Sequence, residues 1–279
     1  MKKFILSFII LVALVIGILA YSIWIEPNLL TVRNISVETK EPISPCRVVF
    51  FSDTHFGKWY DVQHASDIVD KINSLDADIV VFGGDLLDNY ARDSQSIDLE
   101  ALAGELSRIQ AHTGKFAIWG NHDYGGGASR IYEDFMAECG FRVLNDESVL
   151  LAPYNILLVG YDDILMGWTD PSLYTLKSDG FHIIIAHEPV VAQKIQNDTG
   201  ENFLFSGHTH GGQVNIPYFT AKALPTGCGK FVHGLYDAEE IGASSRLQMY
   251  TSSGIGMTKY PLRFLRMPEI ICAEFSSNT

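Results

Sequence analysis

The chain predicts an α/β fold in which strands alternate with helices along one largely parallel sheet. Three observations predict it. Short apolar runs rich in β-branched and aromatic residues recur early in the sequence. Each ends in a cluster of Asp, His and Gly. Helical spacing follows each cluster, and the unit of strand, polar cluster and helix occurs three times by Cys139.

Met1-Lys-Lys precedes an apolar run from Phe4 to Ile25, broken only by Ser7, Gly17 and Ser22. A run of about 20 residues crosses a hydrocarbon core of about 30 Å. It exceeds the apolar region of a cleavable signal peptide, and Ile18 stands where a small residue would precede cleavage after Ala20. Residues 1–25 therefore read as an uncleaved membrane anchor. Lys2 and Lys3 lie before the span and no lysine follows until Lys40, which expects a single-pass protein of the bacterial cell membrane with residues after 25 extracytoplasmic. Residues 26–45, with three prolines, read as a stalk.

The globular part is expected over 46–279. Arg47–Phe51 is a strand ending in Ser52-Asp-Thr-His55-Phe-Gly57, and Asp61–Leu75 has helical spacing. Ala77–Phe82 is a strand ending in Gly83-Gly-Asp85-Leu-Leu-Asp88, followed by a helix over Leu99–Ile109. Lys115–Trp119 ends in Gly120-Asn-His-Asp123, and Ser129–Cys139 is the next helix. The second half is richer in strands: Val143–Leu151 paired with Asn155–Tyr161, then Phe181–Ala186 ending at His187. A short helix is expected over Pro189–Ile195. Phe203–Phe205 leads into Ser206-Gly-His-Thr-His-Gly-Gly-Gln213, and Gln248–Ser252 and Glu269–Phe275 close the fold.

In parallel sheets, sites collect beyond the carboxyl ends of the strands. Those ends offer Asp53, His55, Asp85, Asn121, His122, His187, His208 and His210. Oxygen and imidazole donors without thiolate suit Mn, Fe, Zn or Ni. The set is too large for one ion and sufficient for two that share a carboxylate, an arrangement that clamps the oxygens of a displacement at phosphorus and acidifies water. The net charge of −13 argues against a nucleic-acid partner. The four cysteines, Cys46, Cys139, Cys228 and Cys272, are scattered and read as buried, unpaired thiols.

Asp53-x-His55, Gly84-Asp85-x-x-Asp88, Gly120-Asn121-His122-Asp123, the lone His187 and Gly207-His208-x-His210 together resemble the calcineurin-like metallophosphoesterase family over about residues 46–275. The resemblance implies a four-layer α/β/β/α sandwich of two mixed sheets with two divalent metal ions (Mn, Fe or Zn) at its edge. It implies that Asp53, His55 and His210 hold one ion, that Asn121, His187 and His208 hold the other, and that Asp85 bridges them. It makes His122 a residue that faces the substrate phosphate and protonates the leaving oxygen rather than a ligand.

Gly-His-Thr-His-Gly-Gly-Gln and Ser253-Gly-Ile-Gly-x5-Leu-Arg263-x-x-Arg266-x-Pro-Glu269 are similar to the membrane-associated bacterial branch. That likeness implies a phosphodiester or pyrophosphate substrate, such as UDP-2,3-diacylglucosamine, although that reaction is cytoplasmic and the charge rule puts this domain outside. Arg263 and Arg266 are candidates for a substrate phosphate, because guanidinium forks match its oxygens; a core strand is the competing reading of that stretch. An inactive scaffold or a metal-storage protein is the alternative function. Degenerate scaffolds lose ligands, and storage has no use for His122. Among the remaining groups, Asp88 is expected to cap a helix and Asp162 and Asp163 to orient ligands. His64 and His112 are expected at the surface, His182 facing solvent or a sheet neighbour, and His233 within reach of the site.

Overall fold

Alternation along the strands sets the layers. In the strand Cys46–Phe51, Val49 and Phe51 turn to one apolar cluster while Val48 and Phe50 turn to another, and all four are buried. A strand buried on both faces reads as a continuous apolar run, which is why alternation is invisible in the sequence here. The computed structural model describes residues 1–176, 178–197, 199–243 and 246–278.

The strands are β1 (Thr31–Thr39), β2 (Cys46–Phe51), β3 (Ile79–Phe82), β4 (Gly114–Ala117), β5 (Arg142–Val143) and β6 (Glu147–Leu151), then β7 (Ile156–Gly160), β8 (Phe181–Ile185), β9 (Glu201–Ser206), β10 (Gly234–Tyr236), β11 (Arg246–Thr251) and β12 (Glu269–Ser277). They form two mixed six-stranded sheets, ordered β1-β12-β2-β3-β4-β5 and β10-β11-β9-β8-β7-β6. The sheets pack through Phe50, Val81, Ile118, Ile183, Phe203 and Phe205. Phe50 and Phe205 stack across this interface with centroids 5.0 Å apart.

Helices Val62–Asn73, Leu99–Ser107 and Tyr132–Glu138 cover the outer face of the first sheet. The first of them is capped by Asp61, whose carboxylate accepts from Gln63 N–H, and buries Ala65, Ile68, Val69 and Ile72 at helical spacing. The outer face of the second sheet has a thinner cover than a four-layer sandwich implies. Short 3-10 turns at Pro171–Tyr174 and Pro189–Gln193 and a helix at Ala238–Ile241 pack there.

Two expectations are corrected. The run Val143–Leu151 is divided: Arg142–Val143 closes the first sheet, whereas Glu147–Leu151 pairs with β7 in the second. Residues 26–45 are no stalk. Thr31–Thr39 runs parallel to β12 over nine paired positions, and Ser22, Glu26 and Pro27 are buried. The prolines misled because only Pro27, Pro42 and Pro45 carry them, all outside the strand.

The N-terminal helix Lys2–Ala20 buries no residue against the domain and continues as a π turn over Tyr21–Ile25. It meets the length and hydropathy of a membrane-crossing helix, a test that a signal sequence also meets. All four cysteines are buried and unpaired, and burial pushes Cys46, Cys139 and Cys228 up to about 12.

Candidate metal centre

Strands β2, β3 and β4 run parallel in one sheet and β8 and β9 in the other, so their carboxyl ends meet at one edge of the sandwich. The loops beyond them are stitched together. Asp53 N–H donates to Gly84 carbonyl at 2.9 Å, and Gly207 N–H to His187 carbonyl at 3.0 Å. Asp53 accepts from His208 N–H at 2.9 Å. Asp123 accepts from the N–H groups of Asp85, Leu86 and Gly120 at 2.9, 3.0 and 3.0 Å, tying the second cluster to the third. Glycine is required at 120 for room: a Cβ there would lie 2.3 Å from Asp85 Oδ1. Five donors, Asp53, His55, Asp85, His208 and His210, have φ between 44° and 68°, a strained backbone that clusters at functional sites.

Asp53, His55 and His210 place donor atoms within 4.8 Å of one another, and so do Asp85, His187 and His208. Backbone carbonyls fix several tautomers, since a carbonyl only accepts. His187 Nδ1 donates to Gly83 O at 2.7 Å, which leaves Nε2 aimed at Asp85 Oδ2, 3.2 Å away. His208 Nε2 donates to Thr226 O at 2.7 Å, which leaves Nδ1 free. His55 Nε2 and His210 Nε2 lie 3.0 Å apart. Asn121 Oδ1, His187 Nε2 and His210 Nδ1 are buried with no hydrogen-bond partner. Buried polar atoms are normally satisfied, so His187 Nε2 facing Asp85 and His210 Nε2 facing Asp53 Oδ1 at 3.6 Å and His55 fit divalent cations.

Electrostatics separate the imidazoles: burial opposes charge on His187, but Asp85 and Asp53 raise it well above the ordinary histidine range, whereas His210 and His208 are lowered. Burial opposes charge on Asp85, but His187, His122 and His55 hold its carboxyl well below the usual carboxylate range. Burial pushes His210 well below the ordinary histidine range and His55 adds to it; burial lowers His208 likewise, helped by His187. Neutral imidazoles are the metal-binding form.

His122 is placed differently. Its backbone N–H donates to Asp85 Oδ1 at 2.8 Å, and its Nδ1 to Asp88 O at 2.6 Å. That leaves Nε2 on a half-buried ring. Burial works against its proton, but Asp85 and Asp88 outweigh it and raise the imidazole above its ordinary value. His122 borders a cavity of about 660 Å³ together with Asp85, Asn121, His208 and His210. Ile216, Phe219, Lys259 and Tyr260 form its outer wall.

All eight expected donors and His122 among them converge here; the two arginines do not. Arg263 is fully buried and its guanidinium donates to the carbonyls of Gly256, Ser253 and Arg266. It is therefore unavailable to a substrate phosphate, and its work is to hold the loop 253–256 against Asp53 and Thr54. Arg266 donates to Gly211 O at 3.0 Å and meets His233 Nδ1 at 2.7 Å, away from the cavity lining. His233 also meets Glu269 at 2.9 Å rather than the donors. Asp88 does not cap: Asn89 caps the short helix Tyr90–Asp93, while Asp88 pairs with Arg92 and accepts from Thr258. His182 is buried against Ser178 and Asn197, not solvent. His64 and His112 pair with Asp61 and Asp76 at the surface.

The sequence reading missed Glu188, which with Asp163 and His187 forms a further buried donor group, and Lys259, the cation of the cavity wall. It also missed Gln213, whose side chain bonds Thr258 and Tyr260 and so joins the two wall loops. His187-Glu188 adjacency was a legible signal for the first; Gln213 closes the second histidine cluster and Lys259 falls in the stretch between Gly256 and Leu262, but nothing in either motif marks a side chain that would line the cavity.

Residues 46–212 match the family model described as calcineurin-like phosphoesterase. The chain is 31% identical to an uncharacterized metallophosphoesterase, YkuE, of Bacillus subtilis, over 90% of this chain and 87% of that one. It is 26% identical to the phosphodiesterase YaeI of Escherichia coli, over 84% of each. A dimetal phosphatase from Danio rerio superposes with a TM-score of 0.48 at 14% identity, over 77% of this chain and 89% of that one. With more than half of its length matched by the family model and its two buried donor triads at one sheet edge, the chain belongs to the calcineurin-like metallophosphoesterase family.

Proposed function

We propose that the protein is a phosphodiesterase or pyrophosphatase that uses two divalent ions and acts on a small or lipid-linked phosphoester, from a domain held outside the cytoplasmic membrane by residues 1–25. The observation that carries this reading is the pair of buried donor triads, Asp53–His55–His210 and Asp85–His187–His208, beside the cavity that His122 borders with Asp85, Asn121, His208 and His210. Asp53, His55 and His210 would hold one ion, Asn121, His187 and His208 the other, with Asp85 between. When bound, such a pair supplies a nucleophile near neutral pH and neutralises charge at phosphorus.

The chain's own residues do the rest. Asp123 holds the two loops that carry Asp85 and Asn121 in register. The Gly83 and Thr226 carbonyls fix the rings of His187 and His208. The Asp88 carbonyl fixes His122, and its Nε2 donates a proton to the departing oxygen, which suits an imidazole raised above its ordinary value. Lys259 on the wall offers a positive charge to the phosphate. The test is hydrolysis of a chromogenic phosphodiester with added manganese, before and after chelation. Hydrolysis that persists unchanged in metal-free protein would overturn the reading.

A further inference from the structure

The end of the apolar helix is built into the catalytic domain, with no linker between them. Arg263 N–H donates to Ser22 O at 2.9 Å, and Arg266 N–H donates to the Glu26 carboxylate. Glu26 is 1% exposed. The domain therefore cannot hang away from the helix, and whatever surrounds the helix also surrounds the part of the domain beside it.

That part is one wall of the metal cavity. Phe264 closes an apolar groove of about 460 Å³ whose other walls are Ile10, Ala13, Leu14, Gly17, Ile18 and Tyr21 of the helix. Phe264 thus lies at the level of the apolar run itself. Its backbone pairs with the segment that follows the second histidine cluster: Phe264 N–H donates to Gln213 O at 3.0 Å, and Asn215 N–H to Phe264 O at 2.8 Å. Neighbouring strands lie about 4.8 Å apart, so Gln213 and Val214, which line the cavity, sit one strand spacing from a residue at that level. Around them Tyr218 is 72% exposed, Phe219 65%, Tyr260 68% and Leu265 59%. Large apolar side chains exposed together mark an interaction surface. Lys222, bonded to Tyr218 OH at 2.9 Å, and Lys259 put positive charge on this rim although the chain as a whole carries −13. Aromatic rings with lysines suit the boundary between acyl chains and anionic headgroups.

We propose that the rim formed by residues 214–222 and 258–265 docks into the surface of a lipid bilayer, so that the metal cavity opens at the membrane–water boundary. The proposal rests on the anchor reading of residues 1–25 and is independent of whether the site hydrolyses phosphoesters. The cavity mouth then lies at the level of lipid headgroups.

The test uses the full chain in nanodiscs of phosphatidylethanolamine and phosphatidylglycerol. Single variants Tyr218→Cys and Leu265→Cys carry an environment-sensitive fluorophore; neither residue lines the cavity. Ile16→Cys in the helix and Leu150→Cys on edge strand β6 are the references, and the wild-type protein with its four buried cysteines is the labelling blank. Nitroxide lipids should quench positions 16, 218 and 265 and leave position 150 at the level seen without nitroxide. Quenching at 16 but not at 218 or 265 overturns the docked rim and leaves the anchor standing. No quenching at 16 overturns both. In either case hydrolysis of a water-soluble phosphodiester reports separately on the catalytic reading.

Discussion

Asp85 answers several demands with one carboxylate. It accepts from His122 N–H at 2.8 Å, faces His187 Nε2 at 3.2 Å and lies 3.4 Å from His55 Nε2. Asp85→Asn removes the negative charge that faces His187 of one donor triad and His55 of the other. Metal content by elemental analysis should fall, and affinity should weaken by no less than the roughly 10–100-fold typical of losing an outer partner. Two full equivalents of metal in the variant would refute a shared role. His122→Asn should instead retain its metal and lose about 10²–10⁴-fold in rate. That loss should shrink for substrates with good leaving groups, and an equal loss across leaving groups would leave only charge stabilisation. At this scale the donors were legible because chemistry is a property of residue type: Asp, Asn and His beside glycine at strand ends have few other uses. Arg263 was misread for the same reason. Its guanidinium matches a phosphate as well as it matches three carbonyls, and only burial separates the two.

Loops and strands carry the next set of consequences. Asp123 is buried and accepts three backbone N–H groups from two different loops. Asp123→Asn turns one acceptor into a donor facing a donor. One unsatisfied buried N–H costs about 1–3 kcal/mol, and the melting temperature should fall accordingly without any change in ligand type. An unaltered melting curve would argue that the loops are held otherwise. On β8, burial lowers His182 below its ordinary value of 6.5, with Asn202 partly opposing. The unfolded chain then takes up the proton more readily than the folded one. The stability tied to the neutral ring is complete above pH 6.5 and is lost as pH falls through the lower folded value. Thermal stability should therefore drop between pH 7 and 5, and the drop should be smaller in His182→Gln; equal drops would absolve His182. Elements were legible where an apolar run was continuous, as in β2, β3, β8 and β9. They were not where pairing crosses sheets. Nothing in Val143–Leu151 signals that its two ends join different sheets.

For the molecule as a whole, the strand hidden in the expected stalk matters most. β1 has alternating polarity with half of its residues in water, so it looks like linker until its partner is known. A chain of residues 29–279 should keep both sheets and a cooperative melt. A chain of residues 46–279 should melt at lower temperature and associate at higher concentration, because β12 would become a long unpaired apolar edge. Equal melting and solution behaviour of the two would show that β1 is dispensable. The pairing of β1 with β12 also has a consequence in time. Thr31 and Pro268 are bonded across 237 residues of chain, the first just past the N-terminal helix and the second shortly before the C-terminus. At roughly 5–20 residues per second the ribosome needs about 10–50 s to make the intervening stretch. Until then β1 waits without β12, the strand it pairs with, and the first sheet cannot close. Closure of the first sheet thus waits until residues 269–277 have been made, and a nascent chain that stops short of them stays unlocked.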